Sequence, residues 1–465
     1  MADALTRAIP SMSQTTPRGT AIVIGAGVAG LSAAVRLADA GFAVTVLERA
    51  PRGGGRTSVF TDRETGERVD NGQHVLFGCY RETYAFLDRI GAAHLAPLQP
   101  RLSLAMARDD ARQFTLACPD FKPPWHLVAG VMRWRALSFA DRLAILRVGG
   151  VIQRARRHGA QTVAREAPAD WTVSRWLAAH GQTRGLCDWL WHPLAFAALN
   201  QSPDVAAAAP FVRVVAELFG PRVEDSAIGL AKVPLDQLFV APAARAIEAL
   251  GGAVRFKTEA HVLVGDDARV RGVRIADGDL VADVVVSAVP WFAFGDLWPA
   301  GPPPQIADVA SRASRMESSP IVTVNLWLDG PVLPQPFVGF VRGPMHWAFD
   351  KRAIVGETTQ HLSVVSSGAV DLVNLDNAAI TAAAVAQLSA ALPEMRARRV
   401  LRSVVVREHR ASFSLAPGGP ARPGATTAIA GFYLAGDWTD TGLPATIESA
   451  ALSGRIAADA IVAAS

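Results

Sequence analysis

The chain has 465 residues, 50% of them hydrophobic and 19% charged, enough for roughly two to three domains with their own buried cores. Its net charge of +4 rests on arginine, because lysine occurs only at Lys122, Lys232, Lys257 and Lys351; no basic tract carries interleaved aromatics, which argues against a nucleic-acid partner. A mildly basic surface leaves room instead for a peripheral contact with an anionic membrane.

The first 19 residues, MADALTRAIPSMSQTTPRG, lack an apolar core and read as a disordered leader, not a signal peptide. Beyond them no uninterrupted apolar run approaches the ~18–20 residues of a spanning helix. Cys79, Cys118 and Cys187 are isolated and no CxxC occurs, so neither a metal centre nor a redox disulfide is expected. The expected location is the cytoplasm, with room for a position against the inner face of the cytoplasmic membrane.

Thr20 to Ile24 is a short apolar strand ending in Gly25-Ala26-Gly27-Val28-Ala29-Gly30. Leu31, Ala34, Val35 and Ala38 then recur at helical spacing, Gly41 stops the helix, and Ala43 to Leu47 is a second strand ending at Glu48. A βαβ unit of about 30 residues results, the size of a dinucleotide-binding fingerprint. Gly25 permits the tight turn, Gly27 lets the backbone approach a pyrophosphate, and Gly30 lets the helix pack on the sheet. The helix N-terminus offers N–H donors to phosphates, and Glu48 is placed to accept from ribose hydroxyls. Arg52-Gly53-Gly54-Gly55-Arg56-Thr57 follows at once: glycines let the chain cross a bound phosphate, and Arg56 can neutralise it with a planar fork.

Asp70-Asn71-Gly72-Gln73-His74 comes next, a turn that Asp70 can cap and that carries a titratable histidine. Residues 120–220 are rich in tryptophan, alanine and helical periodicity. Within them Phe121 to Arg147 mixes Trp125, Val128, Met132, Trp134 and Leu137 with Lys122, Arg133, Arg135 and Arg142, and is expected either to lie on a membrane interface or to pack as an amphipathic helix on the substrate domain. Trp189, Trp191 and Phe196 of DWLWHPLAF either line a hydrocarbon tunnel or fill a helical core. Asn200 follows, as a partner for a hydroxyl or as a turn residue. Four segments, Ala253–Phe256, His261–Val264, Val270–Ile275 and Leu280–Val286, are expected to form a β-meander, and residues 320–410 alternate as an antiparallel sheet. Gly431 to Ala435 is a buried strand leading into Gly436-Asp437-Trp438, and a closing helix runs from Ile447 to Ala463. Its N-terminus, after Pro444-Ala445-Thr446, suits the electron-rich edge of an isoalloxazine, and Asp437 suits a ribityl hydroxyl or phosphate. The expected fold is α/β, with a nucleotide-binding domain from residues 20–95, 230–297 and 410–465 and a second domain from 96–229 and 298–409.

GAGVAG, Glu48, GGRT and the late GDW…ATIES together resemble the FAD-binding amine oxidase and phytoene desaturase superfamily, over nearly the whole chain from about residue 20. Within it, residues 70–74, Trp191-His192-Pro193-Leu194 with Ala198-Leu199-Asn200, and residues 436–444 resemble the squalene-associated branch, the hydroxysqualene dehydroxylases. The resemblance implies a Rossmann-type FAD-binding domain with a discontinuous α+β substrate domain. It assigns Gly25, Gly27, Gly30 and Glu48 to the ADP half of FAD, Gly54, Gly55 and Arg56 to the pyrophosphate and flavin edge, and the backbone of Val262 to the adenine. Gly436, Asp437, Thr446 and Ile447 would hold the ribityl chain and pyrimidine ring. Gly72 and Gln73 would run beside the isoalloxazine, with His74 or Asp70 as acid and Trp191, Phe196 and Asn200 against the substrate.

No cysteine lies beyond Cys187, so the C-terminal cysteinyl link of some relatives is impossible and the FAD should be noncovalent. Many amine oxidases of the superfamily place a lysine, through a water, opposite flavin N5. None of the four lysines falls convincingly in the substrate-domain sheet, which weakens amine oxidation as the activity. The implied reaction is reductive removal of the hydroxyl of hydroxysqualene, giving squalene, with hydride from reduced flavin reaching an allylic cation; squalene and hopanoid biosynthesis is the implied setting. An oxidative polyene desaturase or an amine-oxidase-like enzyme would carry the same cofactor motifs. Prenyl-lipid carriers of the Rab GDP-dissociation inhibitor type share the architecture, but intact GGRT and GDW motifs argue against a carrier. With one nucleotide fingerprint there is no separate NAD(P)H domain, which leaves room for a partner reductase or free nicotinamide as electron donor.

Overall fold

The computed structural model describes residues 17–465, so the expected leader over residues 1–19 lies almost wholly outside the described residues. β1 (Thr20–Ile24), α1 (Val28–Asp39) and β2 (Ala43–Leu47) form the βαβ unit. β1 is buried from Ala21 to Ile24 because a parallel strand flanks it on each side and helices cover the faces. Gly30 is demanded by packing: a Cβ there would stand 1.9 Å from the Gly25 carbonyl oxygen.

The chain then leaves for a second sheet through the hairpin β3 (Ser103–Ala107) and β4 (Gln113–Ala117). A helical insertion follows, including α2 (Trp125–Arg133), α3 (Phe139–Ala144), α4 (Gly149–His158) and α5 (His192–Leu199). Its buried face holds Trp134, Trp176, Trp191 and Phe211, which accounts for the tryptophan-rich composition of this stretch. Asn200 closes α5 with a left-handed φ of 51°, a conformation asparagine tolerates better than most residues.

The return differs from the expected meander. β5 (Ala253–Arg255) pairs with β2 at the edge of the parallel sheet. Only β6 (His261–Val264), β7 (Val270–Ile275) and β8 (Gly278–Val281) form the antiparallel meander. β9 (Val284–Ser287) is a separate strand beside β1, fully buried, so its unbroken run of valines marks a central parallel strand.

The chain re-enters the second sheet with β10 (Ser318–Leu328), β11 (Phe337–Phe340), β12 (Trp347–Asp350), the short helix α6 (Lys351–Val355), β13 (Gln360–Ser367) and β14 (Val400–Phe413). Strand order is β14-β10-β13-β12-β11-β3-β4. The antiparallel pattern expected over 320–410 is present, and the contact of β11 with β3 is parallel. Finally β15 (Phe432–Leu434) completes the first sheet in the order β15-β9-β1-β2-β5, and α7 (Ile447–Ala464) packs on α1. That helix pair approaches closely through small residues: Ser32 Oγ donates to the Ala451 carbonyl at 2.9 Å, and a Cβ on Gly454 would lie 2.4 Å from the Ala29 carbonyl.

Candidate active site

One cavity of about 620 Å³ runs from the ends of β1 and β2 into the space beneath the second sheet. Its first half is a backbone cradle. The earliest α1 bond is Leu31 N–H to the Gly27 carbonyl, at 2.9 Å, so the N–H groups of Val28, Ala29 and Gly30 are without helical acceptors. Gly27 and Gly55 line the cavity, and a Cβ on either would meet almost nothing: one atom at 4.0 Å for Gly27 and one at 3.7 Å for Gly55. A side chain would therefore fill the groove, which suits the close passage of a pyrophosphate. Gly54, at φ 104°, donates to the Ala26 carbonyl at 2.8 Å and ties the second glycine loop to the first. Glu48 is pinned by the amides of Ala26 and Ala50, both at 2.9 Å, with its carboxylate at the cavity wall.

The residues present thus fit a dinucleotide, with one correction. Val262 is inside β6, 5% exposed and packed in the core, and does not reach the cavity. The wall there is Thr258, Glu259 and Ala260, the extended segment crossing between β5 and the meander. The backbone able to bracket an adenine lies two residues earlier than expected.

Gly436, at φ 134°, turns the chain out of β15 and places Asp437 against the cavity. Arg56 does not hold an open fork toward a phosphate. Its two terminal nitrogens meet the two oxygens of Asp437 at 2.8 and 2.5 Å, and it also donates to the Ala411 carbonyl at 2.9 Å. Burial opposes the charge on Arg56, but the Asp437 carboxylate outweighs it and the guanidinium is held above its ordinary value. Thr446 caps α7 by accepting from Ser449 N–H, leaving the first amides of that helix beside Ile447 at the cavity wall. Tyr80, missed in the sequence, also lines this wall, and burial pushes its hydroxyl upward.

The second half of the cavity is lined by hydrocarbon. Leu127 and Val131 of α2, Trp189 and Trp191 of the helical insertion, and Trp347 and Phe349 of β12 all face it. Trp191 is 1% exposed and spends its indole N–H on Gln182 Oε1 at 2.9 Å, so only its ring is available. Phe196 is a correction: it is not in the wall but on the opposite side of α5, stacked on His346 at 4.0 Å, while Ala197 and Ala198 take the cavity positions. Asn200 touches the cavity, yet its side chain is spent. It donates to the Ser319 carbonyl and Ser412 Oγ, both at 3.0 Å, and accepts from Gly368 N–H at 2.7 Å. It is a joint between β10, β14 and the end of β13, not a free hydroxyl partner.

Gly72, Gln73 and His74 stand where the two halves meet. His74 Nδ1 lies 2.8 Å from the Gly72 carbonyl, which can only accept, so the neutral ring carries its proton on Nδ1 and presents Nε2 as a lone pair. Burial holds its pKa below the ordinary histidine value. Asp70 is corrected from acid to structural anchor. It is 7% exposed, outside the cavity, and accepts from Leu235 N–H at 3.0 Å and from Lys351 Nζ at 2.8 Å. That lysine, Lys351, is 3% exposed, opens α6 directly after a strand of the substrate sheet, and also reaches Gln73 Oε1 at 2.8 Å. A lone lysine after the apolar stretch WAFD gave no periodic signal by which to find it. Among the described residues, the one group with metal-ligating spacing is Glu67, Glu357 and His361, away from this cavity.

The profile of the family described as flavin containing amine oxidoreductase matches residues 28–462. The chain is 31% identical over 458 residues to a hydroxysqualene dehydroxylase of Rhodopseudomonas palustris, covering 96% of this chain and 99% of that one. It is 25% identical to a 15-cis-phytoene desaturase of Synechococcus elongatus, covering 95% of each. Among solved structures it resembles an oxidoreductase from Methanosarcina mazei with a TM-score of 0.70 at 17% identity, covering 94% of this chain and 99% of that one.

Proposed function

Because the chain belongs to the flavin-containing amine oxidoreductases and, within them, to the hydroxysqualene dehydroxylase family, we propose that it reductively dehydroxylates hydroxysqualene to squalene using noncovalent FAD. The observation that carries this reading is the continuity of a glycine cradle with a hydrocarbon-walled cavity whose junction holds Gln73 and His74. When bound, the flavin supplies the hydride.

The protein's own part is threefold. Apolar walls take up the isoprenoid chain and exclude water from the reacting carbon. Trp189, Trp191 and Trp347 line the cavity, and their aromatic rings would favour positive charge developing on an allylic carbon. His74 Nε2, once protonated, delivers that proton to the departing hydroxyl. A neutral resting histidine means this delivery accelerates as the medium becomes more acidic.

The substrate dissolves in lipid, and one face of the protein suits a bilayer. Phe121, Trp125, Phe139, Leu143 and Leu146 are exposed, Trp125 by 64% and Phe139 by 70%, with Lys122, Arg133, Arg135 and Arg147 among them. Trp134 and Leu137, expected on that face, are instead buried in the core. Among the described residues no helix is long and apolar enough to cross a membrane. The patch would rest on the cytoplasmic leaflet, with the inner side of α2 forming cavity wall.

Anaerobic single turnover tests the reaction. Reduced enzyme mixed with hydroxysqualene should yield squalene and oxidised flavin in equal amounts, and acid precipitation should release intact FAD. Flavin that stays reduced with hydroxysqualene present would sink the dehydroxylase assignment. An oxidised enzyme that is reduced by a polyene hydrocarbon would establish the desaturase direction instead.

A further inference from the structure

Lys351 is a buried cation that the chemistry above does not use. Its ammonium touches Asp70 Oδ2 and Gln73 Oε1, each at 2.8 Å, and it is itself absent from the cavity wall. An ammonium has only donors, so the Gln73 atom facing it must be the carbonyl oxygen. The amide orientation is therefore fixed by chemistry, independently of how the two ends of the carboxamide are assigned. Gln73 thus turns its oxygen to the lysine behind the wall, and the end it offers the cavity is the NH₂. One of those N–H groups makes a long 3.3 Å contact with the His74 carbonyl. The neighbouring His74, with Nδ1 held by the Gly72 carbonyl, offers only the opposite, a lone pair on Nε2.

A hydroxyl group both donates and accepts. A hydrocarbon does neither. We propose that Gln73 N–H and His74 Nε2 form a donor–acceptor pair that recognises a substrate hydroxyl, and that Lys351 is the positioning residue which sets the polarity of that pair. Asp70 neutralises the lysine and ties it to the backbone at Leu235, whose N–H it accepts at 3.0 Å, so the setting is rigid. This deepens the dehydroxylase assignment and rests on it: the pair would select an isoprenoid alcohol over the matching hydrocarbon before any hydride moves.

The test is equilibrium binding to oxidised FAD-loaded enzyme, which has no hydride to give, read from the change in flavin absorbance during titration. Hydroxysqualene and squalene, each in the same detergent micelles, are the two probes. Wild type should bind the alcohol about tenfold more tightly than the hydrocarbon, the worth of roughly one net hydrogen bond. Gln73→Glu is isosteric, keeps a partner for Lys351 and removes the N–H; the preference should fall to about onefold while squalene binding is unchanged. Lys351→Met combined with Asp70→Asn removes both charges without stranding either, and keeps an acceptor for Leu235. Its amide at Gln73 is free to turn, so the preference should drop to roughly threefold or less, an effect that a purely structural lysine would not produce in folded enzyme. Preference for the alcohol that survives Gln73→Glu overturns the inference alone, and a shifted flavin spectrum in that case would assign the N–H to the cofactor. Equal binding of alcohol and hydrocarbon by wild type would overturn the inference, whereas failed single turnover with an intact alcohol preference would overturn only the proposed reaction.

Discussion

The cofactor cradle and the substrate cavity are two halves of one space, but they are built on opposite principles. The cradle is local and made of backbone: two glycine loops, a helix start and one carboxylate within about 30 residues of each other in the dinucleotide unit. The cavity is assembled from side chains of distant segments, with Leu127, Trp191 and Trp347 meeting from three parts of the chain. A backbone site tolerates no substitution that adds atoms or reverses charge. A side-chain site of many apolar contacts can lose one and still close around its ligand.

The sharpest way to break that contrast is at Glu48. Glu48→Arg places a cation against the Ala26 and Ala50 amides that now donate to the carboxylate. The purified variant should retain no FAD, measured by absorbance after gel filtration. Stoichiometric yellow protein would show that the cradle is not where the ADP half sits. On the other side of the junction, His74→Ala should leave FAD bound and slow single-turnover loss of the hydroxyl by roughly 10²–10⁴-fold. Because burial keeps the imidazole below its ordinary pKa, the protonated fraction, and the rate with it, should rise on acidification. A wild-type rate that is flat between about pH 6.5 and 8 would remove His74 as proton donor.

The contrast also explains what the sequence made legible. Gly25, Gly27, Gly30 and Glu48 lie close together in sequence and in space, so spacing alone locates their chemistry. DVVVS reads as a buried strand, but nothing local says whether it joins the meander or the parallel sheet, and it sits inside the latter, between β15 and β1. Helical periodicity around Phe196 finds the helix and not which face meets the cavity, and a difference of one position decided between Phe196 and Ala197. Asp70, Gln73 and Lys351 form one network across 281 residues, a separation no motif spans. Val262 failed for a smaller reason: its strand begins at His261 as expected, but the cavity wall is the segment Thr258–Ala260 just before that strand.

Stability should divide along the same line. Asn200→Ala removes the partner of the Gly368 amide and of the Ser319 carbonyl, and places alanine at a left-handed φ. A loss of about 2–4 kcal/mol is expected from thermal or urea unfolding, with hydroxysqualene turnover per folded enzyme unchanged. A turnover defect without a stability loss would restore Asn200 as a substrate contact. Acid should act next. His346 is pushed down to about 4 by burial, and its Nδ1 accepts from Ser367 N–H. The unfolded chain takes up that proton near 6.5 and the folded one only near 4, so stability is full above 6.5 and is lost as pH falls through that window. The total is on the order of 3 kcal/mol, and His346→Phe should flatten the pH dependence of the melting temperature over the same range. His126 and His192, also held low by burial, lie in the helical insertion, so acid should loosen the substrate half before the cradle releases FAD. FAD loss preceding any change in tryptophan fluorescence would contradict that order.

The smallest effect concerns the outer surface of the cavity wall. α2 has two faces: Leu127 and Val131 look into the cavity, while Trp125 is 64% exposed and Arg133 is exposed beside Phe121, with its guanidinium 5.6 Å from the ring. α3 continues the outer surface with Phe139 and Leu143. An exposed apolar cluster of this kind, rimmed by cations, matches the headgroup boundary of an anionic bilayer better than water. Each cation near such a surface contributes about 1 kcal/mol, or roughly fivefold in partitioning. Reversing Arg133 and Arg135 to glutamate should therefore weaken flotation with phosphatidylserine-containing liposomes by about 25-fold or more, and less so as salt rises. Neither arginine touches the cavity, so turnover of hydroxysqualene in detergent should be unaltered. Trp125→Ala should weaken flotation on neutral vesicles as well, because its contribution is apolar area and not charge. If the double reversal floats like wild type on anionic vesicles, this face does not meet the membrane and the substrate reaches the cavity another way.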